Sequence, residues 1–180
     1  MKEKKGFTHF DERGRARMVD VSQKEATMRE AIAHGCISMT RDTFRMIMDR
    51  RIAKGDVLGV AQVAGIMGAK RTAELIPMCH PLNLTNVEVN FFPSRGENKI
   101  EIEARVKTKG QTGVEMEALL AVSTAGLAIY DMCKAVERGM IISDIHLVTK
   151  KGGKSGPFRW RGERGDGHKR ESIGGKHQRG

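Results

Sequence analysis

The sequence predicts an α+β domain in which helices pack on one face of a mainly antiparallel sheet. Apolar residues recur with period two over residues 82–91 and again over 100–106, on either side of a loop of turn formers. Stretches of helical period lie before and after that hairpin, and strand and helix do not alternate regularly as a parallel sheet would need. The chain has 180 residues, which suits one domain with a single core, and it contains no internal repeat.

The first two dozen residues are polar and broken by glycine, and only Met18-Val19-Asp20-Val21 offers an edge strand. Residues 27–33 read as a short helix and Ile37-Ser38-Met39 as a brief strand. Thr40 then suits the N-cap of a helix whose Phe44, Ile47, Met48 and Ile52 are spaced as one buried face requires. Lys54-Gly55-Asp56 ends it, with Gly55 as the left-handed terminating residue. A second helix is expected over residues 57–76, rich in Ala and Gly for close packing, until Pro77 stops it for want of an N–H.

After Pro81, Leu82 and Leu84 alternate on even positions, and Val87, Val89 and Phe91 on odd ones. That change of parity predicts a bulge near Thr85-Asn86. Ser94-Arg95-Gly96-Glu97-Asn98 is a turn, and Ile100, Ile102, Ala104 and Val106 form the returning strand with one wet face. The longest helix is expected over residues 113–137, with Met116, Leu119, Leu120, Ser123, Leu127, Tyr130 and Lys134 on one broad face. Arg138-Gly139 suits its end. Residues 141–149 read as a last strand, followed by a Gly-rich basic tail.

Charge is unevenly placed. From Lys150 to the end there are ten Lys or Arg against three Asp or Glu, so this segment carries seven of the formal +10. Residues 1–149 hold 22 basic and 19 acidic residues and are nearly balanced. Basicity of this kind suggests a polyanionic partner, yet aromatics are only 4% of residues, which leaves few stacking platforms for single-stranded nucleic acid. No apolar run approaches the length of a membrane span, and Met1-Lys2-Glu3-Lys4-Lys5 leads into no apolar signal core, so a cytoplasmic protein is expected. Cys36, Cys79 and Cys133 form no C-x-x-C pair and read as reduced thiols.

Several residues suit chemistry. His80, in Met78-Cys79-His80-Pro81, stands between a helix stop and a strand start, where histidine shuttles protons, holds a phosphate oxygen or serves structure alone. Adjacent Cys and His are poor zinc geometry and no further ligand pair completes a site, so no metal-binding residue is expected. Lys109-Gly110-Gln111-Thr112-Gly113 enters the long helix through a glycine-bracketed loop whose free N–H groups and helix dipole suit an anion. Glu115 and Glu117 in its first turn are equally explained by that dipole. Asp131 and Lys134, at i and i+3, can touch. Most such pairs are surface bridges of little worth, although Lys134 beside an apolar stripe suggests a task. Glu117 and Asp131 are fourteen residues apart, which sets them roughly 21 Å apart along one helix. A second subunit or a long substrate is then needed to join them at one site. Lys150-Lys151-Gly152-Gly153-Lys154-Ser155-Gly156 is not a P-loop, because Val148 stands where the pattern needs glycine, yet it is fit to wrap phosphates.

Met18-Val19-Asp20-Val21, Lys54-Gly55-Asp56-Val57, Ala69-Lys70-Arg71-Thr72, Leu75-Ile76-Pro77-Met78-Cys79-His80-Pro81-Leu82, Thr112-Gly113-Val114-Glu115-Met116-Glu117-Ala118-Leu119, Ile129-Tyr130-Asp131-Met132-Cys133-Lys134-Ala135-Val136 and Lys150-Lys151-Gly152-Gly153-Lys154-Ser155-Gly156 occur in this order. Together they resemble the cyclic pyranopterin monophosphate synthase family of molybdenum-cofactor biosynthesis, over roughly residues 7–158. The resemblance implies a ferredoxin-like α+β fold and a hexamer built from dimers, with active sites between subunits. It implies a lyase that converts 3′,8-cyclo-7,8-dihydro-GTP to the cyclic phosphate product and pyrophosphate, with no redox cofactor. It further implies Asp131, Lys54 and Lys134 as catalytic residues, and Met78, Cys79, His80, Glu115, Met116, Glu117 and Lys150 as substrate-binding ones. The family domain is expected over residues 1–158 and a basic, disordered tail over 159–180.

Two other readings compete. A basic RNA-binding α+β module needs exposed aromatics on central strands, whereas Phe91 and Phe92 cluster beside a loop and the next strand has none. A scaffold that has lost catalysis would not keep Lys54, His80, Asp131 and Lys134 together. Neither nucleic acid nor membrane is therefore the expected partner.

Overall fold

The computed structural model describes residues 14–50 and 52–162. Residues 163–180, the greater part of the expected tail, lie outside the described residues. The elements run β1 (Thr27–Ser38), α1 (Arg41–Met48), α2 (Val57–Lys70), α3 (Thr72–Leu75), β2 (Leu84–Ser94), β3 (Lys99–Gly110), α4 (Glu115–Cys133), β4 (Ile141–Lys151) and β5 (Phe158–Arg159). The strands form one antiparallel sheet in the order β2-β3-β1-β4-β5. Its first four strands and intervening helices have the ferredoxin-like arrangement, and β5 adds a short edge that straddles the boundary expected between residues 158 and 159.

The hairpin follows its alternation closely. Val106, Ala104, Ile102 and Ile100 are buried and stand opposite Val87, Val89, Phe91 and Pro93. A register shift falls between Leu84 and Asn86, where the change of parity places the bulge. Phe91 is core rather than a stacking surface.

Residues 27–33 are not a helix but the first half of the central strand β1. Ala31, Ala33, Gly35 and Ile37 face the helices, opposite Val106, Ala104, Ile102 and Ile100. Small residues are required there because α4 lies close above. A Cβ on Gly35 would stand 2.7 Å from Val122 Cγ1 and 3.0 Å from Ile145 Cγ1. Burial between two neighbouring strands overrides the helical propensity of Ala, Met and Glu.

Other boundaries also move. Met18-Val19-Asp20-Val21 forms no strand. α1 ends at Met48, because Arg50, at φ 55°, takes the left-handed position expected of Gly55. Gly55 (φ 98°) instead turns the chain toward Asp56, whose carboxylate caps α2 by accepting from Gly59 N at 3.0 Å. The single helix expected over 57–76 breaks at Arg71 into α2 and α3.

α4 is shorter than expected, and its buried face is not the leucine-rich one. Glu117, Ala118, Ala121, Val122, Ala125, Gly126, Ile129, Met132 and Cys133 are buried. Leu127, by contrast, is 59% exposed. α2 packs against α4 through Gly65 and Gly68: a Cβ on Gly65 would lie 2.9 Å from the Ala121 carbonyl oxygen, and one on Gly68 would collide with Thr124. By length and composition α4 is apolar enough to cross a bilayer, but it is the core helix over the sheet, and half of its apolar window is buried.

Candidate active site

The C-terminal end of α4 carries a charge triad. Asp131 is on the last turn, and Lys134 follows at the C-cap one helical step away. Lys134 Nζ lies 2.7 Å from Asp131 Oδ1. Lys54 enters from the loop before α2, its Nζ 3.6 Å from Asp131 Oδ2 and donating to the Asp131 carbonyl oxygen at 2.9 Å. The Lys134 hydrogen bond and charge, with the charge of Lys54, hold the Asp131 carboxyl below the usual carboxylate range. Asp131 in turn raises Lys134. All three side chains are open to solvent, so Lys134, expected beside an apolar stripe, is not buried there. Exposed pairs of this kind add little stability, and their charges remain available to a ligand.

A second group gathers at the N-terminal end of α4. A cleft of about 410 Å³ is lined by Met78, Cys79, His80, Glu115, Met116 and Glu117, among others. His80 Nε2 lies 2.8 Å from the Val19 carbonyl oxygen, so the non-strand segment around Val19 fixes the imidazole. Glu117 is buried, at 4% exposure. Loss of water there, offset in part by its own backbone N–H and reinforced by the charge of Glu115, raises its carboxyl to about 7. Burial also raises the Cys79 thiol, with Glu117 adding to the effect. Cys79 is thus an apolar, protonated wall at neutral pH.

The cleft continues into a larger one of about 1050 Å³ between the start of α4 and the loop after β4. Lys150 Nζ is 3.3 Å from Glu115 Oε1 and donates to Ser155 Oγ at 2.7 Å. Arg29 and Lys24 line the same space, with Lys151 and Lys154. Sequence reasoning missed Arg29 and Lys24. Arg29 is held by donating to the carbonyl oxygens of Gly110 (3.2 Å) and Gln111 (3.3 Å). Its inward aim follows from β1 being a strand, so the mistaken helix concealed it. The N-cap of α4, Val114, offers its first turn no side-chain cap. Among the described residues no three of His, Cys, Asp and Glu gather as a metal would need.

Seven of the ten expected site residues are therefore together at one end of α4, and Lys54, Asp131 and Lys134 are together at the other. The nineteen-residue helix keeps the two groups apart within one subunit. A ferredoxin-like sheet with a charge triad at one end of its core helix and a cation-lined cleft at the other is the frame of an α+β enzyme. The MoaC family's model matches residues 18–153. A cyclic pyranopterin monophosphate synthase of Desulforapulum autotrophicum is 64% identical over 152 residues, which covers 84% of this chain and 93% of its own length. Proteins of the same name from Pelotomaculum thermopropionicum (61% over 158 residues; 88% and 93%) and Heliobacterium modesticaldum (63% over 152; 84% and 96%) are similarly close. The chain belongs to the MoaC family.

Proposed function

We propose that this chain is a lyase of molybdenum-cofactor biosynthesis, acting in the cytoplasm as a cyclic pyranopterin monophosphate synthase on 3′,8-cyclo-7,8-dihydro-GTP. The observation that carries this reading is the Asp131 carboxylate held between Lys54 and Lys134. The reaction must move protons as one ring opens and another closes, and Lys54 and Asp131 form a linked acid–base pair for that. Formation of the cyclic phosphate requires a substrate hydroxyl to attack the α-phosphorus. That oxygen's proton goes to a base, a new P–O bond forms, and the bond to the β-phosphate breaks to release pyrophosphate. His80, Lys134 and Lys150 neutralise the triphosphate and the leaving group. Glu115 and Glu117 orient the base and sugar, with Glu117 able to donate a hydrogen bond while its carboxyl is protonated. Met78, Cys79 and Met116 wall the cleft.

The assembly is a homohexamer of three dimers, in which the triad of one subunit completes the cleft of another. Two features support it: the separation of the groups along α4, and apolar side chains left outside, with Val63 61% and Leu127 59% exposed. The domain spans residues 1–158, and the basic tail follows it.

The test is an anaerobic assay with the cyclised dihydro-GTP, following pyrophosphate and the pterin product by mass spectrometry. Stoichiometric release is expected, and Asp131→Asn should lower turnover by about a hundredfold or more, as loss of a general acid–base group does, with the oligomer intact. A folded wild type that releases no pyrophosphate ends the proposal.

A further inference from the structure

The Gly-Lys loop after β4 is not left open. Thr149 and Lys150 pair with Arg159 and Phe158, so residues 152–157 become the loop of a β4–β5 hairpin. The family's match stops at residue 153, and β5 lies beyond it. A loop with Gly152, Gly153 and Gly156 all at positive φ has much conformational freedom to lose on ordering. One internal bond, Gly156 N to the Gly153 carbonyl at 3.2 Å, does little to offset that loss. A two-residue strand is also too short to hold by its ladder alone.

What fixes the hairpin is Trp160. Its backbone N–H donates to the Val148 carbonyl at 2.8 Å, which extends the pairing by one residue. Its indole lies on the His146 ring, centroids 4.2 Å apart and tilted by 44°. His146 is fixed in turn, with Nδ1 2.6 Å from the Asp144 carbonyl oxygen and its ring 5.5 Å from the buried His34. A continuous chain of contacts thus runs from the sheet through His34, His146 and Trp160 to β5. With the hairpin closed, Ser155 reaches Lys150, which faces Glu115.

We infer that Trp160 is a positioning residue: its stacking on His146 holds the 152–157 loop closed, so that Lys150 and Lys154 are set for the substrate's triphosphate. This rests on the proposed function. An aromatic contact of this kind contributes about 0.5–1.5 kcal/mol, or at most about a tenfold change in affinity.

The test uses the full-length chain carrying Trp160→Ala or Trp160→Phe. Steady-state kinetics and hydrogen exchange of the amides of residues 151–156 are both measured. Trp160→Ala should raise KM about five- to tenfold with kcat within about twofold. It should also speed exchange in the loop, and Trp160→Phe should restore both. Unchanged KM, a fall in kcat alone, or loop exchange equal to wild type overturns the proposal. If the wild type does not turn over, the proposed function has failed. Loop exchange in Trp160→Ala then decides by itself whether Trp160 holds the loop.

Discussion

Glu117 is a carboxyl forced out of water at the first turn of α4. With its folded pKa near 7 against an ordinary value of 4.5, the folded state binds its proton more tightly than the unfolded state does. Below about pH 4.5 both states are protonated and burial carries no charge penalty. As pH rises from about 4.5 to about 7, the unfolded chain ionises first and stability is lost. The full shift corresponds to about 3 kcal/mol at about 1.4 kcal/mol per unit. Glu117→Gln should therefore be close to wild type in denaturant unfolding at pH 4.5 and more stable by about 2 kcal/mol at pH 8. An equal difference at the two pH values contradicts the assignment. Apart from the family resemblance, the residue was legible in the sequence only as an acid at a helix start, a position that ordinarily faces solvent. Burial placed it in a different class, and no local pattern encodes that burial. His80 was legible as a residue between two elements, whereas the Val19 carbonyl that fixes it lies in a segment read as a strand.

At the scale of elements, β2, β3 and the bulge between Leu84 and Asn86 were readable because period-two patterning with a change of parity leaves few alternatives. β1 and the burial of α4 were not, for one shared reason. The two elements approach closely, with Gly35 directly against Val122 and small residues buried on both sides, Ala31 and Ala33 in β1 and Ala118 in α4. Small residues carry almost no period that hydropathy can detect, while the larger leucines of α4 drew the reading to its outer face. The α2–α4 contact tests the same logic. Thr124 Oγ1 donates to the Leu120 carbonyl at 2.7 Å and occupies the space a Cβ on Gly68 would take. Gly68→Ala should cost about 1–2 kcal/mol, because overpacking outweighs the gain of about 1 kcal/mol in helix propensity. Combined with Thr124→Ala it should regain only part of that loss, because Oγ1 goes while the Thr124 Cβ, 2.8 Å from the added Cβ, stays. No regain at all in denaturant unfolding shows that Thr124 Oγ1 does not set the cost.

At the scale of the whole molecule, α4 sets the problem and the assembly is its proposed solution. The triad at Asp131 and the cleft at Glu117 are held roughly 21 Å apart by helical rise, and packing over the sheet prevents the helix from bending to join them. Their separation was readable from the sequence; the link of Lys54 to Asp131, across 77 positions, became visible only through family resemblance and then in three dimensions. If each site takes its triad from one subunit and its cleft from another, two damaged chains can repair each other. Asp131→Asn and Lys150→Ala are each expected to be nearly inactive alone. When the two are dissociated, mixed in equal amounts and reassembled, about half the dimers contain one chain of each kind. In a two-fold interface one site of such a dimer receives both changes and the other receives neither. The mixture should then recover about a quarter of wild-type pyrophosphate release. Recovery near that fraction requires a shared site, because sites contained in single chains give none whatever the mixing. No recovery, with mixed oligomers confirmed by native mass spectrometry, would place both groups in one subunit's service and leave a long-reaching substrate as the only way to connect them.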